Sequence, residues 1–183
     1  YKGLGMLDDA RDCYKNALIH NPEFADSYNN LGVIFNDLGH LDEAVKNFEK
    51  AIVIQPDYAE AYNNLGVTFN KLNELEKAIK SYESALCYNT EFAHAYNNMG
   101  NSLRSLNKLS RAIKCYENAI EINSNFDDAY NNLGLALEDL GRNDDAVLNF
   151  KMAIKVNPEF YEAHNNFGNI LATCFKRYEE ALI

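Results

Sequence analysis

The fold is decided by the stretch Tyr28-Asn29-Asn30-Leu31-Gly32, because it recurs every 34 residues along the chain. The further copies are Tyr62-Asn63-Asn64-Leu65-Gly66, Tyr96-Asn97-Asn98-Met99-Gly100, Tyr130-Asn131-Asn132-Leu133-Gly134 and His164-Asn165-Asn166-Phe167-Gly168. A fixed period of this length predicts stacked structural repeats, in which no single unit buries its own apolar face. The surface that is presented again in every repeat is therefore the place to look for function.

Each repeat is predicted to contain two helices joined by a tight turn. In residues 25–58, apolar side chains recur at helical spacing from Tyr28 to Leu38 and again from Leu41 to Ile52. Gly32 and Ala44 are small, so we expect the two helices to approach closely there, which explains a glycine inside a helix. The turn position favours a left-handed residue that ends the first helix, and it holds Gly5, Gly39, Asn73, Asn107 and Gly141.

The junctions between repeats carry weaker signals. Proline is predicted to follow the second helices at Pro22, Pro56 and Pro158, whereas Thr90 and Ser124 replace it and are expected to loosen their junctions. Asp57 and Glu60 have the spacing of a capping box. In the last repeat the alanine corresponding to Ala146 arrives one residue late, at Ala181, which predicts an irregular turn within 173–177.

Composition excludes several functional classes. The net charge is −10 over 183 residues, which argues against a nucleic-acid partner and against an anionic membrane surface. The sequence has no long apolar run, no glycine-rich phosphate loop and no spaced nucleophile–base pair. Its cysteines and histidines lack metal-ligand spacing, so no metal, cofactor or catalytic residue is predicted, and we expect the four cysteines to be buried reduced thiols.

The combined pattern resembles the tetratricopeptide repeat (TPR) family. The features that carry the resemblance are the Tyr-x-x-Leu-Gly opening, the spacing of Ala44, Phe48 and Ala51, and Pro56 in a 34-residue unit. The resemblance implies an all-α, right-handed superhelical solenoid of antiparallel helix pairs with about 11–12 helices. The predicted organisation is a single array over 1–183, with partial repeats at 1–24 and 161–183 and full repeats at 25–58, 59–92, 93–126 and 127–160. Since the chain starts and stops within repeats, we expect it to be part of a longer protein.

Each first helix keeps a second stripe of side chains that packing does not explain, and in this family such helices line the concave side. The stripe includes two asparagines in every repeat, which is unusual because asparagine is a mediocre helix former. A carboxamide has one acceptor and two donors, so a row of them suits an extended backbone of almost any sequence. Helix layers lie about 8–10 Å apart, which is about the length of three extended residues. Five repeats, each with its asparagines, would therefore span about 15 residues of ligand.

The candidate peptide-binding residues fall into three sets. In the first set, the second asparagine of each pair, ligand contact is the favoured interpretation: Asn30, Asn64, Asn98, Asn132 and Asn166. In the second set, the first asparagine of each pair, simple solvation is favoured and ligand contact is the alternative: Asn29, Asn63, Asn97, Asn131 and Asn165. The third set is an acidic row that would read ligand side chains, interrupted by His94: Asp26, Glu60, Asp128 and Glu162.

The asparagine that precedes Leu-Gly resembles the asparagine ladder in the TPR superhelix of nucleocytoplasmic peptide O-glycosyltransferases, of the O-GlcNAc and related O-fucose type. Segments such as Phe92-Ala93-His94-Ala95-Tyr96-Asn97-Asn98-Met99-Gly100 carry this resemblance. It implies that the ladder binds the backbone of the acceptor polypeptide, that acidic neighbours contribute to side-chain selection, and that a glycosyltransferase domain follows. This excerpt would then be the substrate-recognition region of an enzyme without containing its catalytic residues.

The alternative is a free-standing TPR adaptor that docks partner proteins. A co-chaperone clamp for a C-terminal carboxylate is disfavoured, because the sites that would need basic residues hold Asp26, Asn29, Glu60 and Asn63. Both favoured readings make the partner an extended polypeptide or an unfolded protein segment, with self-association through the repeat surface as a further mode. The cysteine pattern and the absence of an Asn-x-Ser/Thr sequon indicate a cytoplasmic or nuclear location.

Overall fold

The computed structural model describes the backbone of residues 2–180 and the side chains of residues 6–174. The described backbone contains ten α-helices and no strand, so the all-α prediction is confirmed, with fewer helices than the 11–12 expected. The helices are α1 (Lys2–His20), α2 (Ala25–Asp37), α3 (Leu41–Ile54), α4 (Ala59–Lys71), α5 (Leu75–Tyr88), α6 (Ala93–Ser105), α7 (Leu109–Ile122), α8 (Asp127–Asp139), α9 (Asn143–Val156) and α10 (Tyr161–Glu180).

Two compact units divide the chain, Tyr1–Thr90 and Glu91–Ile183. In the first unit, the pairs α2–α3 and α4–α5 share the most extensive contacts, and α3 packs on α4. The second unit repeats this scheme with α6–α7 and α8–α9, joined by packing of α7 on α8 and of α9 on α10. Each unit is therefore a stack of helix pairs.

A buried aromatic ring on each second helix lies against the glycine of the preceding first helix. The rings are fully buried and belong to Phe48, Tyr82, Tyr116 and Phe150. A Cβ atom added to Gly32, Gly66, Gly100 or Gly134 would lie 2.5–2.6 Å from the nearest ring carbon, far inside van der Waals contact. A packing reason for these glycines is confirmed, but the nearest group is the aromatic ring four residues after the alanine, for example Phe48 against Gly32, rather than the helix around Ala44. Tyr14, which holds the corresponding position on α1, is half-buried.

The predicted turn residues adopt the left-handed conformation at four positions. The φ angles are +77° at Gly39, +60° at Asn73, +56° at Asn107 and +79° at Gly141. Gly5 is different, because it lies within α1. The helices that precede Pro22, Pro56 and Pro158 end at His20, Ile54 and Val156, as predicted.

Two junction predictions are wrong, and the loosening expected at Thr90 and Ser124 stays a prediction. Tyr58 is the N-cap of α4 and no side chain caps that helix, so Asp57 and Glu60 form no capping box. The irregular turn within 173–177 is absent, since α10 is continuous to Glu180. The chain leaves the second helices before Thr90 and Ser124 with φ/ψ of −137°/95° and −131°/94°, close to the −126°/92° that precedes Pro56, so the backbone there follows the same path without proline.

The cysteines are all free thiols, but only one of them is fully buried. Cys115 lies in the core, Cys174 is partly buried, and Cys13 and Cys87 are exposed. The expectation of four buried thiols is therefore wrong for the two exposed residues.

Candidate functional site

The first asparagine of the pair is buried in four repeats. The exposed fractions are 5% for Asn29, 9% for Asn63, 6% for Asn97 and 4% for Asn131, whereas Asn165 on α10 is exposed. The interpretation of these four side chains as simply solvated is wrong. A buried carboxamide needs hydrogen-bond partners within the protein, because burial without them is costly.

The partner of a buried first asparagine is the second asparagine of the next repeat. Asn64 Nδ2 donates to Asn29 Oδ1 at 3.1 Å, Asn132 Nδ2 donates to Asn97 Oδ1 at 3.0 Å, and Asn166 Nδ2 donates to Asn131 Oδ1 at 2.9 Å. These bonds join successive first helices within each unit. The first asparagine of one repeat therefore holds the second asparagine of the next repeat in a fixed orientation.

The second asparagines keep hydrogen-bonding capacity after this contact. Asn64, Asn132 and Asn166 are each partly exposed. A carboxamide that uses one N–H retains a second N–H and its carbonyl oxygen, so each of these side chains can still offer one donor and one acceptor. Asn30 is also partly exposed, and within residues 6–174 its side chain donates to no other group.

Several candidate residues meet around one open cavity of about 460 Å³ between α8 and α10. The lining combines carboxamides with a carboxylate, an aliphatic side chain and an aromatic ring: Asn131, Asn132, Leu135, Tyr161, Glu162, Asn165 and Asn166. The structure thus brings together both asparagines of two successive repeats and one member of the acidic row. Carboxamides and a carboxylate therefore line one common space in this part of the candidate site.

The acidic row is exposed, and its members have neighbours that the sequence analysis did not identify. Burial raises the pKa of the Tyr58 hydroxyl above its ordinary value, and its hydrogen bond to Asp26 acts in the same direction, while one to Asn29 opposes it. Tyr58 lies just before α4, so the aromatic residue that ends repeat 25–58 holds the acidic residue near the start of the same repeat. In the second unit, the Phe126 ring packs edge-on against His94 with 4.8 Å between centroids.

These aromatics could have been found from the sequence, since Phe24, Tyr58, Phe92, Phe126 and Phe160 are spaced by 34 residues. They precede the first helices, outside the helical stripe in which functional residues were sought. Two of them, Tyr58 and Phe126, therefore pack against candidate-site positions, at Asp26 and His94.

Asp128 and Glu162 lie within electrostatic range of each other. Burial is the main reason that the pKa of the Asp128 carboxyl is raised above its usual value, and the negative charges of Asp127 and Glu162 add to the effect. The positive charge of His94 acts in the opposite direction. The potential around these two members of the acidic row is therefore negative.

Near their C-terminal ends, successive first helices also contact each other through polar side chains. Thr68 Oγ1 donates to Asn36 Oδ1 at 3.3 Å, and Lys71 Nζ lies 3.4 Å from the Asn36 carbonyl oxygen. In the second unit, the Arg104 guanidinium pairs with Asp139 at 2.6 Å. These side chains near the ends of the first helices therefore already have partners within the protein.

Two classes of site find no support in the described part of the chain. Within the described residues, no group of three or more His, Cys, Asp or Glu side chains is arranged to hold a metal ion. Among the described helices, none is both long and apolar enough to cross a membrane.

Comparison with solved structures shows several proteins of the same fold. MamA is 32% identical, with 86% of this chain and 92% of that chain covered and a TM-score of 0.77. YrrB, a TPR protein with an unusual peptide-binding site, is 24% identical over 90% and 84% of the two chains, with a TM-score of 0.74. TTC0263, a thermophilic TPR protein of Thermus thermophilus, is 20% identical over 93% of each chain, with a TM-score of 0.75. At their lower identities, the last two show the shared fold alone.

Family models match most of the chain, although no curated protein sequence matches it. Models described as TPR repeat or tetratricopeptide repeat match residues 13–46, 34–73, 59–90, 100–141 and 127–160. These matches include the asparagine pairs of three of the first four motif copies, with residues 13–46 and 34–73 overlapping across α2 and α3. Together with the identity to MamA, they establish that this chain belongs to the tetratricopeptide repeat family.

Proposed function

We propose that this TPR scaffold binds extended polypeptide along the row of second asparagines. The observation that carries the proposal is the cross-repeat amide pair, in which a buried first asparagine fixes a partly exposed second one. A carboxamide that is oriented in advance and retains a donor and an acceptor can pair with both the N–H and the C=O of a guest peptide unit. The peptide-binding site of YrrB, a protein of the same fold, supports the proposal.

The affinity should be modest. A net hydrogen bond contributes about 0.5–1.5 kcal/mol, and ordering one guest residue costs about 1–2 kcal/mol. These contributions nearly cancel, so we expect dissociation constants in the micromolar range or weaker. Such affinity suits a scaffold that must release many different partners.

Asn30→Ala is the cleanest test, because this side chain donates to no other group in residues 6–174. The variant should bind a fluorescein-labelled 15-residue peptide of alternating Ser and Thr about two- to tenfold more weakly. Its melting temperature should stay within about 2 °C of the parent chain, since no buried partner is lost. Fluorescence anisotropy and thermal unfolding measure the two quantities.

The matched control is Asn47→Ala on α3, where the amide donates to the Glu43 carbonyl oxygen of its own helix at 2.8 Å. This change should leave peptide affinity unaltered. If Asn30→Ala and Asn47→Ala bind the peptide equally well, Asn30 takes no part in binding. Failure of the parent chain to bind the peptide at all would contradict the proposal for the whole asparagine row.

The sequence alone favours a triple variant with Asn64, Asn98 and Asn132 changed to Ala and an almost constant melting temperature. The structure corrects this expectation of stability. Removing Asn64 and Asn132 leaves the buried Oδ1 atoms of Asn29 and Asn97 without these donors, which costs about 1–3 kcal/mol for each atom. Loss of peptide binding in that variant would therefore be mixed with loss of stability.

Two more specific functions are compatible with polypeptide binding along the row of second asparagines. One is the substrate-recognition region of a peptide O-glycosyltransferase of the O-GlcNAc type, and the other is a free-standing adaptor, with a cytoplasmic or nuclear location in either case. The proteins named in the comparisons favour neither function. The complete coding sequence of the gene separates them, because the transferase requires two Rossmann-like nucleotide-sugar-binding halves in addition to the repeats.

A further inference from the structure

The cavity between α8 and α10 contains two side chains that the corresponding positions of other repeats do not provide. Tyr161 occupies the place of Ala25, Ala59, Ala93 and Asp127, and Leu135 that of Val33, Val67 and Asn101. The Tyr161 side chain is 75% exposed although it lines the cavity. This end of the candidate site therefore offers an aromatic face and a longer aliphatic surface beside the carboxamides.

The charge of the lining comes from one carboxylate. Among the described residues around the cavity, only Glu162 is formally charged, and the Tyr161 hydroxyl lies 3.4 Å from Glu162 Oε1. The charge of Glu162 also reaches Asp128 and contributes to its raised pKa. The nearby His164 is directed elsewhere, since its Nε2 lies 3.0 Å from the Pro158 carbonyl oxygen. The cavity therefore places the aromatic ring of Tyr161 beside the negatively charged carboxylate of Glu162.

We propose that this cavity receives an arginine side chain of the guest polypeptide, a specificity that rests on the proposed function of the groove. Arginine matches all three parts of the lining. Its aliphatic stem covers Leu135, its planar guanidinium stacks on the Tyr161 ring, and its N–H groups bond to the Glu162 carboxylate. Lysine supplies only a compact charge at the end of its stem, and an uncharged aromatic side chain provides no positive charge for the carboxylate.

The asparagines on either side place the guest backbone for this contact. Asn132 and Asn166 each use one N–H in a bond to the preceding repeat, to Asn97 and Asn131. Their remaining donor and acceptor are available to the peptide units next to the arginine. Backbone capture and side-chain selection are therefore assigned to different residues of one cavity, so they can be tested separately.

The test uses three fluorescein-labelled 15-residue peptides of alternating Ser and Thr, with Arg, Lys or Gln at the centre. Anisotropy titrations with the full chain should show that the Arg peptide binds about tenfold more tightly than the Gln peptide and about threefold more tightly than the Lys peptide. In Tyr161→Ala and in Glu162→Gln, the Arg-to-Gln ratio should fall to about threefold or less. Both residues are exposed, so these variants should fold, which thermal unfolding verifies.

Two control variants separate this cavity from general electrostatic attraction. Tyr161→Phe retains the ring and should preserve the preference for arginine. Glu76→Gln removes an exposed acidic side chain from the second helix α5, outside the candidate peptide-binding residues, and should leave the Arg-to-Gln ratio unchanged.

The outcomes distinguish this inference from the proposed function. Equal and measurable affinity for the Arg and Gln peptides overturns the arginine site and leaves polypeptide binding intact. A preference for arginine that survives both Tyr161→Ala and Glu162→Gln also overturns it, since the selectivity then comes from elsewhere. Failure of all three peptides to bind overturns the proposed function together with the arginine site.

Discussion

Gly100 lies against the ring of Tyr116, a fully buried side chain whose hydroxyl donates to Asn101 Oδ1 at 2.8 Å. A Cβ atom at Gly100 would lie 2.5 Å from Tyr116 Cε1. Gly168 holds the equivalent place on α10, but nothing described lies within 4 Å of its Cβ position. Within the described residues, glycine therefore has this packing role at position 100 and not at position 168.

We predict that Gly100→Ala lowers the free energy of unfolding by about 1–3 kcal/mol, because overpacking outweighs the gain in helix propensity. Gly168→Ala is the control and should be neutral or stabilising by up to about 1 kcal/mol. Thermal unfolding of the two variants measures the difference. Equal stability of the variants would mean that the Tyr116 ring moves aside at little cost.

The sequence predicts that the asparagines are unusual, but it does not predict their hydrogen-bond partners. The sequence identifies both members of each pair as unusual, because two polar residues with poor helix propensity recur beside the packing residues. It cannot reveal that Asn64 bonds to Asn29 and Asn132 to Asn97, since these partners are 35 residues apart while the repeat is 34. That contact depends on how successive first helices are stacked, and it explains why side chains predicted to be solvated are buried.

At the level of helices, local residue chemistry explains both the correct and the wrong predictions. Glycine or asparagine in the left-handed conformation ends α2, α4, α6 and α8. In the last repeat the same position is Phe175, for which that conformation is costly, and the sequence from 169 to 180 contains neither glycine nor proline. The backbone accordingly continues as α10, whereas the comparison of alanine spacing had predicted a turn.

Ser124 lies between α7 and α8, at a position where other repeats have proline, so it tests whether proline fits this junction. Asn123 before it has φ/ψ of −131°/94°, which suits a residue that precedes proline. In the described structure, the Ser124 N–H donates no backbone hydrogen bond. We therefore predict that Ser124→Pro stabilises the chain by about 0.4–1 kcal/mol, because proline restricts the unfolded state.

Thermal unfolding of Ser124→Pro beside Ser124→Ala measures this effect, with the alanine variant as control for loss of the hydroxyl. A lower melting temperature for Ser124→Pro than for Ser124→Ala would show that proline does not fit this junction, despite the matching backbone angles.

For the molecule as a whole, the repeat period was sufficient to predict an all-α TPR fold, since every unit repeats the same packing contacts. Composition also indicated the sign of the surface potential, because the net charge of −10 is consistent with the negative region around Asp128 and Glu162. The α8–α10 cavity was not predicted. It depends on Leu135 and Tyr161, two departures from the repeat pattern whose shared location appears only when the helices are packed.

The most direct test of polypeptide binding follows the side-chain amide signals of asparagine in ¹⁵N-edited NMR spectra during titration with the Arg-centred Ser/Thr peptide. We predict that the signals of Asn30, Asn64, Asn132 and Asn166 shift progressively with peptide concentration. The signals of Asn47 and Asn149, which bond within the second helices α3 and α9, should stay unchanged. Binding that shifts only other signals, and leaves these four second asparagines unaffected, would contradict the proposed role of the asparagine row.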